Sequence, residues 1–468
     1  MNPLRTLTIA LAATLAGACT TLIPDYLRPA APVPAVFPQA ASGSDATGPR
    51  ADAIAWRDYF ADARLRELID LALVNNRDLR IAALNIERAR AQYGIQRADL
   101  FPSIAATGGQ TAQRLPADLG RDGEATTTRQ YSATVGFSAY ELDFFGRIRS
   151  LNAQALEQYL GTEEARRSAQ ISLVAEVANA WLRLAADRER MALARNTYDT
   201  RQKSYELTRR SVEAGAASAL ELRQAQTLQE TARADAARYS ALVAQDQNAL
   251  ALIVGAPVPA GLMPDTLGDS VSSVADLPAG VPSEVLTRRP DILQAERQLR
   301  AANANIGAAR AAFFPRITLT AAAGTASGSL DGLFGAGSGT WSFIPQISLP
   351  IFEAGRLTAS LDAAKVQREI TVAQYEKAIQ GAFREVADAL AERATLAEQL
   401  DARRKLVEAS EGSFRLSDAR YKAGVDSYLG LLDAQRALYG AELELIGVRL
   451  SDAANRVALY KALGGGWQ

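Results

Sequence analysis

Few side chains in this sequence are suited to chemistry, and their types narrow what the chain can do. There is no histidine among the 468 residues, which removes the commonest general base and the commonest metal ligand. Cys19 is the only cysteine, so neither a disulfide nor a cysteine metal cluster can form within one chain. Three methionines are too few for a soft-metal relay. Carboxylate chemistry such as glycoside hydrolysis survives these counts, but it needs two acids facing each other across a pocket. The Asp and Glu residues are instead scattered along helical faces, so neither an enzyme nor a bound cofactor is expected. A net charge of −1 offers no basic surface for nucleic acid. One spaced set stands out near the C-terminus. Leu429, Asp433 and Arg436 fall at i, i+4 and i+7, one face of a helix. Taken alone, Asp433 and Arg436 make a surface ion pair worth at most ~1 kcal/mol.

The context of Cys19 is informative. Arg5 is followed by an apolar run from Leu7 to Leu15, then by small residues and the cysteine. A charged start, a short apolar core and a small-residue cleavage site make a secretory signal. The run is too short to span a bilayer. The segment resembles a bacterial lipoprotein signal, in which residues 1–18 are removed and Cys19 becomes the lipidated first residue. Ala16 stands where such signals usually carry leucine, and Thr20 follows the cysteine, which implies sorting to the outer membrane. A covalent lipid on Cys19 is the one added group expected. Residues 19–60 begin rich in Pro, Ala and Ser and read as an extended strap leading away from the lipid. After residue 19 no apolar stretch is long enough for a transmembrane helix, so any membrane crossing must be made by β-strands.

The elements that would position these residues are written twice. At an offset of 213, Asp78, Ala82, Ala89, Ala91, Gly94, Arg97, Ala98, Phe101, Pro102 and Ile104 all meet identical residues in the second half. Further on the offset becomes 209, and Gly146-Arg147 meets Gly355-Arg356, Glu176-Val177-Ala178 meets Glu385-Val386-Ala387, and Ala214-Gly215 meets Ala423-Gly424. Two long copies are too few for a solenoid, whose periods are far shorter. They predict a duplicated fold of residues 61–255 and 283–468, joined by a Pro- and Gly-rich linker at 256–282. Each copy reads as helix, strand, strand, long helix, tip, long helix. The first helix, from about Ala61 to Leu100, ends at Phe101-Pro102 because proline cannot continue it. Leu220 to Val254 alone would make a helix ~50 Å long. The apolar row of that helix, Leu222, Ala225, Leu228, Ala232, Ala236, Tyr239 and Val243, is largely alanine, so neighbouring helices can approach closely. The helices by themselves suit an ordinary alanine-rich bundle.

The segments between the helices point elsewhere. Tyr131, Ala133, Val135, Phe137 and Ala139 alternate with polar or small residues, as do Ile317, Leu319, Ala321 and Ala323, while Trp341, Phe343, Ile347, Leu349 and Ile351 alternate with Ser342, Ile344, Gln346 and Ser348. A period of two predicts strands with one apolar face, at about 103–114, 129–143, 316–327 and 340–351. Their length suits a tilted crossing of an outer membrane. A four-stranded soluble sheet packed on the helices is the alternative. In lipid such a sheet would leave two open edges, and four strands cannot close a barrel, so chains would have to combine. Two chains would give an eight-stranded barrel filled by side chains; three would give twelve strands and room for a pore.

Specific motifs then identify a relative. Leu22-Ile23-Pro24-Asp25-Tyr26, Asn76-Arg77-Asp78-Leu79, Arg97-Ala98-Asp99-Leu100-Phe101-Pro102 and Glu141-Leu142-Asp143-Phe144-Phe145-Gly146-Arg147 resemble the TolC-type outer membrane factor family, closest to its OprM-like lipoprotein branch. So do Arg288-Arg289-Pro290-Asp291-Ile292, Ala308 to Pro315, and Tyr460 to Trp467. The resemblance covers essentially the whole mature chain. It implies a mainly α fold with a small β part, assembled as a homotrimer. A twelve-stranded transmembrane β-barrel would be continuous with a long periplasmic α-helical barrel. The implied function is a passive exit duct, lipid-anchored in the outer membrane, for a tripartite drug efflux system. The implied partners are a periplasmic membrane-fusion adaptor and an inner-membrane resistance-nodulation-division (RND) transporter. Type I protein secretion and a non-pore periplasmic scaffold lipoprotein are the alternatives.

The same resemblance assigns the candidate site. The tips between long helices fall at 211–218 and 421–427, where Gly215 and Gly424 permit a tight reversal. Ala214-Gly215-Ala216 and Ala423-Gly424-Val425 stand at the adaptor-docking tips that the resemblance implies; the glycines match the family's Val-Gly-Thr and their neighbours do not. Leu429, Asp433 and Arg436 match a periplasmic constriction. Three copies of Asp433 around an axis would form a carboxylate ring that attracts cations. The first copy carries Leu220, Gln224 and Thr227 at the equivalent places, so only the second hairpin can supply this charge. Tyr421 matches a tyrosine that holds the closed tip by hydrogen bonds; simple packing between helices is its other reading.

Overall fold

The structure is a computed structural model, and it describes residues 21–38, 51–119, 123–268, 271–272 and 283–467. Residues 1–18, Cys19 and 273–282 of the linker lie outside the described residues. The chain divides into two compact units. Among the described residues, one draws on those up to Ala30 with Asn85–Glu163 and Gln294–Tyr375, the other on those within Ala31–Leu84 and Glu164–Leu293 and on those after Tyr375. Each unit takes matching pieces from both repeats.

The elements in chain order are α1 (Ala63–Asn75), α2 (Arg77–Ala98), β1 (Ile104–Leu115), β2 (Thr126–Leu142), α3 (Arg147–Glu213) and α4 (Ala219–Val254). The second repeat gives α5 (Pro290–Ala311), β3 (Arg316–Ser327), β4 (Gly339–Ser348), α6 (Arg356–Lys422) and α7 (Tyr428–Ala462). Helices α3 and α6 have 67 residues each, which at 1.5 Å per residue makes each ~100 Å long. Among the described residues no helix is long and apolar enough to cross a membrane.

In the first unit the four strands form one antiparallel sheet in the order β1-β2-β3-β4, with β1 and β4 at its edges. The register aligns Ile104, Phe137, Ala321 and Phe343 in one row across the sheet, and Ala106, Val135, Ala323 and Trp341 in the next. The intervening rows, such as Thr107, Thr134, Gly324 and Thr340, are mostly small and polar, with Ile344 opposite Thr320 the large apolar exception. The apolar rows are open, with Trp341 79% and Ile347 69% exposed. The alternation expected in β2 does not run through to Ala139. A bulge between Phe137 and Tyr140 inserts one extra residue, and Ala139 takes a φ of 52° with its N–H on Thr320 Oγ1 at 3.0 Å. Tyr140, not Ala139, therefore continues the apolar row opposite Leu319. An unpaired strand residue of this kind bends the sheet locally.

In the second unit the single helix expected from Ala61 to Leu100 is two helices, broken at Asn76. The asparagine caps α2, its Oδ1 accepting from the Leu79 N–H at 2.8 Å, and its Nδ2 donates to the Ile253 carbonyl in the last turn of α4 at 2.7 Å. One buried side chain thus satisfies orphan groups at two helix ends. Asp62 caps α1, accepting from the Arg64 N–H, and α1 buries Leu65, Leu68, Ile69 and Ala72 completely. The end of the supposed strap is folded as well. Residues Ala51–Ala53 form a 3₁₀ turn and Trp56–Tyr59 a helical turn. Trp56, Tyr59 and Phe60 are in the core. The Tyr59 ring stacks on Tyr460 with centroids 3.9 Å apart, and the Tyr460 hydroxyl donates to the Ile54 carbonyl. These aromatics cannot remain in an extended strap because burying them contributes more than their ordering costs. The described part of the linker is pinned too. Trp181 Nε1 donates to the Leu262 carbonyl, Arg188 to Pro264 and Arg449 to Leu267.

The Arg289-Pro290-Asp291 run has a structural role in this unit. Pro290 opens α5, where its missing N–H costs nothing. Buried Arg289 reaches the Ala462 carbonyl at 2.7 Å and pairs with Asp291 and Glu385. Burial pulls its guanidinium down, and the two carboxylates outweigh that and raise it.

Candidate functional site

The two helix tips are built alike but capped differently. At the first, α3 ends with Gly215 at a φ of +74°, and the Ala216 N–H reaches back to the Ser211 carbonyl at 2.8 Å. At the second, α6 ends with Gly424 at a φ of +71°, and the Val425 N–H reaches the Arg420 carbonyl at 3.0 Å. Both are left-handed reversals that a side chain resists. Ser218 and Glu221 then close a full capping box on α4. Ser427 makes no such side-chain bond on α7; there Arg420 and Asp426 pair across the turn instead, at 2.6 Å. Ala214, Gly215, Ala423 and Gly424 are all exposed.

Behind the tips, α4 and α7 pack on each other through Ala225, Leu228, Tyr428, Leu431 and Leu432, with Tyr205, Phe414 and Tyr421 against this cluster. The spacing of these residues along α7 decides where the charged set goes. Tyr428, Leu431, Leu432 and Ala434 take the buried face, so Leu429, Asp433 and Arg436 are left on the open one, with Leu429 53% exposed. The Asp433 carboxylate lies 3.5 Å from the Arg436 guanidinium. Three of the four candidate gate residues thus share one exposed face. Tyr421 does not join them. It packs inside the cluster with its ring 5.3 Å from Tyr428. Burial, then the nearby charge of Glu221, pushes its hydroxyl up.

A polar clasp higher on the same hairpins is not foreseen by sequence reasoning. Arg201 of α3 is 5% exposed; it donates to the Leu228 carbonyl of α4 at 3.0 Å and lies 5.1 Å over the Tyr439 ring of α7. Tyr439 in turn donates to Asp235 Oδ2 at 3.1 Å, and Asp235 pairs with Arg238. Burial pulls the Arg201 guanidinium down and pushes the Tyr439 hydroxyl up. The only sequence signal was that Tyr428, Leu432 and Tyr439 fall on one helical face. Farther along, Asp246 of α4 is pushed up to about 6 by burial and then by the charge of Asp187 on α3. Among the described residues no group of acidic, histidine or cysteine side chains could hold a metal ion.

Comparison with known proteins gives one answer. Residues 68–256 and 281–465 match the model of the family described as outer membrane efflux protein, one match for each repeat. The chain is 54% identical over 463 residues to the toluene efflux pump outer membrane protein TtgC of Pseudomonas putida, covering 98% of this chain and 95% of that one. It is 46% identical over 451 residues to the outer membrane protein OprJ of Pseudomonas aeruginosa, covering 96% and 94%. Its structure is similar to the open state of the MtrE outer membrane channel of Neisseria gonorrhoeae, with a TM-score of 0.87 at 42% identity over 96% of this chain and 99% of the other.

Proposed function

The chain belongs to the outer membrane efflux protein family, and from that premise we propose that three copies form the gated exit duct of a tripartite pump for small toxic molecules. The observation that carries this is the sheet. Its apolar rows are exposed and it ends in two edge strands, a state that lipid does not tolerate unless other strands complete a cylinder. Joining β4 of one copy to β1 of the next would close twelve strands around an aqueous interior.

On this reading the polar, small-residue face of the sheet lines the lumen. The open face of α7 narrows the periplasmic end, where three Asp433 side chains meet around the axis and favour cations. Arg436 beside each carboxylate holds it in place. The exposed tips at Ala214, Gly215, Ala423 and Gly424 receive the periplasmic adaptor, which connects the duct to an RND transporter in the inner membrane. A lipid on Cys19 anchors the strap in the outer membrane. The name of the P. putida relative, a toluene efflux pump component, supports apolar small molecules as the cargo. The duct itself makes and breaks no bonds; it supplies a path and a gate.

Planar-bilayer recording of the purified protein tests this. Wild type should give small cation-selective steps, and Asp433→Ala should give larger steps with weaker cation preference. Silence from both proteins at a concentration that inserts a control porin would overturn the duct.

A further inference from the structure

Residues 22–28 have neither helix nor strand, yet they are held along their whole length by one face of α5. Arg310 donates to the Leu22 carbonyl at 3.3 Å. Ile23 lies directly over Gly307, where a Cβ would fall 2.6 Å from Ile23 Cγ1 and 2.8 Å from its backbone nitrogen. Asn303, 2% exposed, donates to the Pro24 carbonyl at 2.7 Å. The Arg300 guanidinium sits 4.7 Å over the Tyr26 ring, and the Tyr26 hydroxyl donates to Glu296 Oε1 at 3.2 Å. Arg28 and Arg300 both pair with Glu296, which is 3% exposed.

The helix positions 296, 300, 303, 307 and 310 advance by four, three, four and three, which keeps them on one face. Their span of fourteen residues rises ~21 Å. Six steps of extended chain, from residue 22 to residue 28, cover ~20 Å. Helix and strap therefore match in length, running in opposite directions, with a contact at nearly every strap residue. Glu296 is the centre of the arrangement. Burial pushes its carboxyl up, but the bonds and charges of Arg28 and Arg300 outweigh that and hold it below the usual range. Burial and then the Glu296 charge push the Tyr26 hydroxyl up to about 12.

The first repeat has no such device. At the 213 offset the five positions are Ala83, Glu87, Arg90, Gly94 and Arg97, which lack the central acid and the asparagine, and a Cβ on Gly94 would meet nothing within 4 Å. The glycine and the arginine at its C-terminal side are common to both copies; Glu296, Arg300 and Asn303, which hold Pro24, Tyr26 and Arg28, are found in one.

We propose that this face of α5 is a peptide-binding site whose ligand is the chain's own Leu22–Arg28 segment, recognised through Tyr26 and Arg28 by Glu296. Its role is to fix where an anchor at Cys19 can enter the membrane, and in this it rests on the lipid-anchor reading above. With Leu22 pinned at Arg310, the three residue steps back to Cys19 span at most ~11 Å, which would keep an anchor there close to the end of α5 that leads into β3.

A nitroxide placed on Leu27→Cys in the full Cys19→Ser chain reports docking without reference to lipid, because Leu27 is exposed and its neighbours on both sides are held. The label should be slow in the parent protein. Glu296→Gln, Gly307→Val and Arg28→Gln should each raise its mobile fraction at least about tenfold, the scale of losing a charge-assisted bond or the seat of a side chain. Arg28→Gln leaves α5 untouched, so its effect cannot come from a misfolded helix. A label equally mobile in the parent and the variants would overturn the proposal. Mass analysis of the native N-terminus decides the anchor separately: an unmodified Cys19 removes the lipid-anchor reading while the label still reports whether the strap docks.

Discussion

Asp246 shows what a single buried acid does in a helical hairpin. Its folded value of about 6 lies above the ~3.9 of an aspartate in an unfolded chain. The folded state therefore binds the proton more tightly than the unfolded one. Stability from this group is fully present below about pH 4 and is lost as pH rises through about 6. The side chain is only partly enclosed, so solvent screening reduces the effect to on the order of 1 kcal/mol. Thermal melts followed by helical circular dichroism should show a higher midpoint at pH 5 than at pH 7.5. Asp246→Asn should remove most of that difference and raise the midpoint at pH 7.5. At this same scale the open set Leu429, Asp433 and Arg436 was legible because helical spacing alone puts them on one face. The Arg201, Tyr439 and Asp235 clasp was not, since it joins three helices whose mutual register no local pattern encodes.

Between elements, the lesson lies in where periodicity fails. The mainly helical class with a small β part followed from composition and alternation, and the matched solved channels carry the same fold. Two breaks escaped that reading. The Ala139 bulge is invisible because a bulge conserves composition while shifting phase. The split between α1 and α2 is invisible because Asn76 is a tolerable helix residue until its side chain finds two helix ends to satisfy. Asn76→Ala removes the cap on Leu79 and leaves the Ile253 carbonyl without its donor in a partly buried place. Those losses sum to about 2–3 kcal/mol. Denaturant melts should record a lower midpoint with an unchanged slope, and amide exchange should quicken first in the opening turn of α2. A substitution with no measurable cost would mean that the break is set by packing of α1 and not by the asparagine.

For the whole molecule, duplication is the governing fact. It supplies two strand pairs, and β2 and β3, one from each repeat, meet at the centre of the sheet. The repeat seam is thus closed inside the chain, and what remains open is the pair of outer edges. On the proposed reading further copies complete that perimeter, and the two helix hairpins in each copy come to the assembly in a fixed ratio with its sheet. Sequence divergence between the repeats then has a place to act: the charge at Asp433 is confined to the second hairpin and the strap site to the second copy of the first helix. If the assembled copies form one path out of the cell, loss of the protein should matter most for molecules that cross the outer membrane poorly once expelled. Deleting the gene should lower the minimal inhibitory concentrations of aromatic solvents and amphiphilic antibiotics, and wild type supplied in trans should restore them. If Asp433 closes the periplasmic end, as proposed above, Asp433→Ala should restore efflux while admitting large antibiotics that the intact outer membrane excludes. Equal growth of deletion and parent strains across such compounds would show that the path serves another cargo.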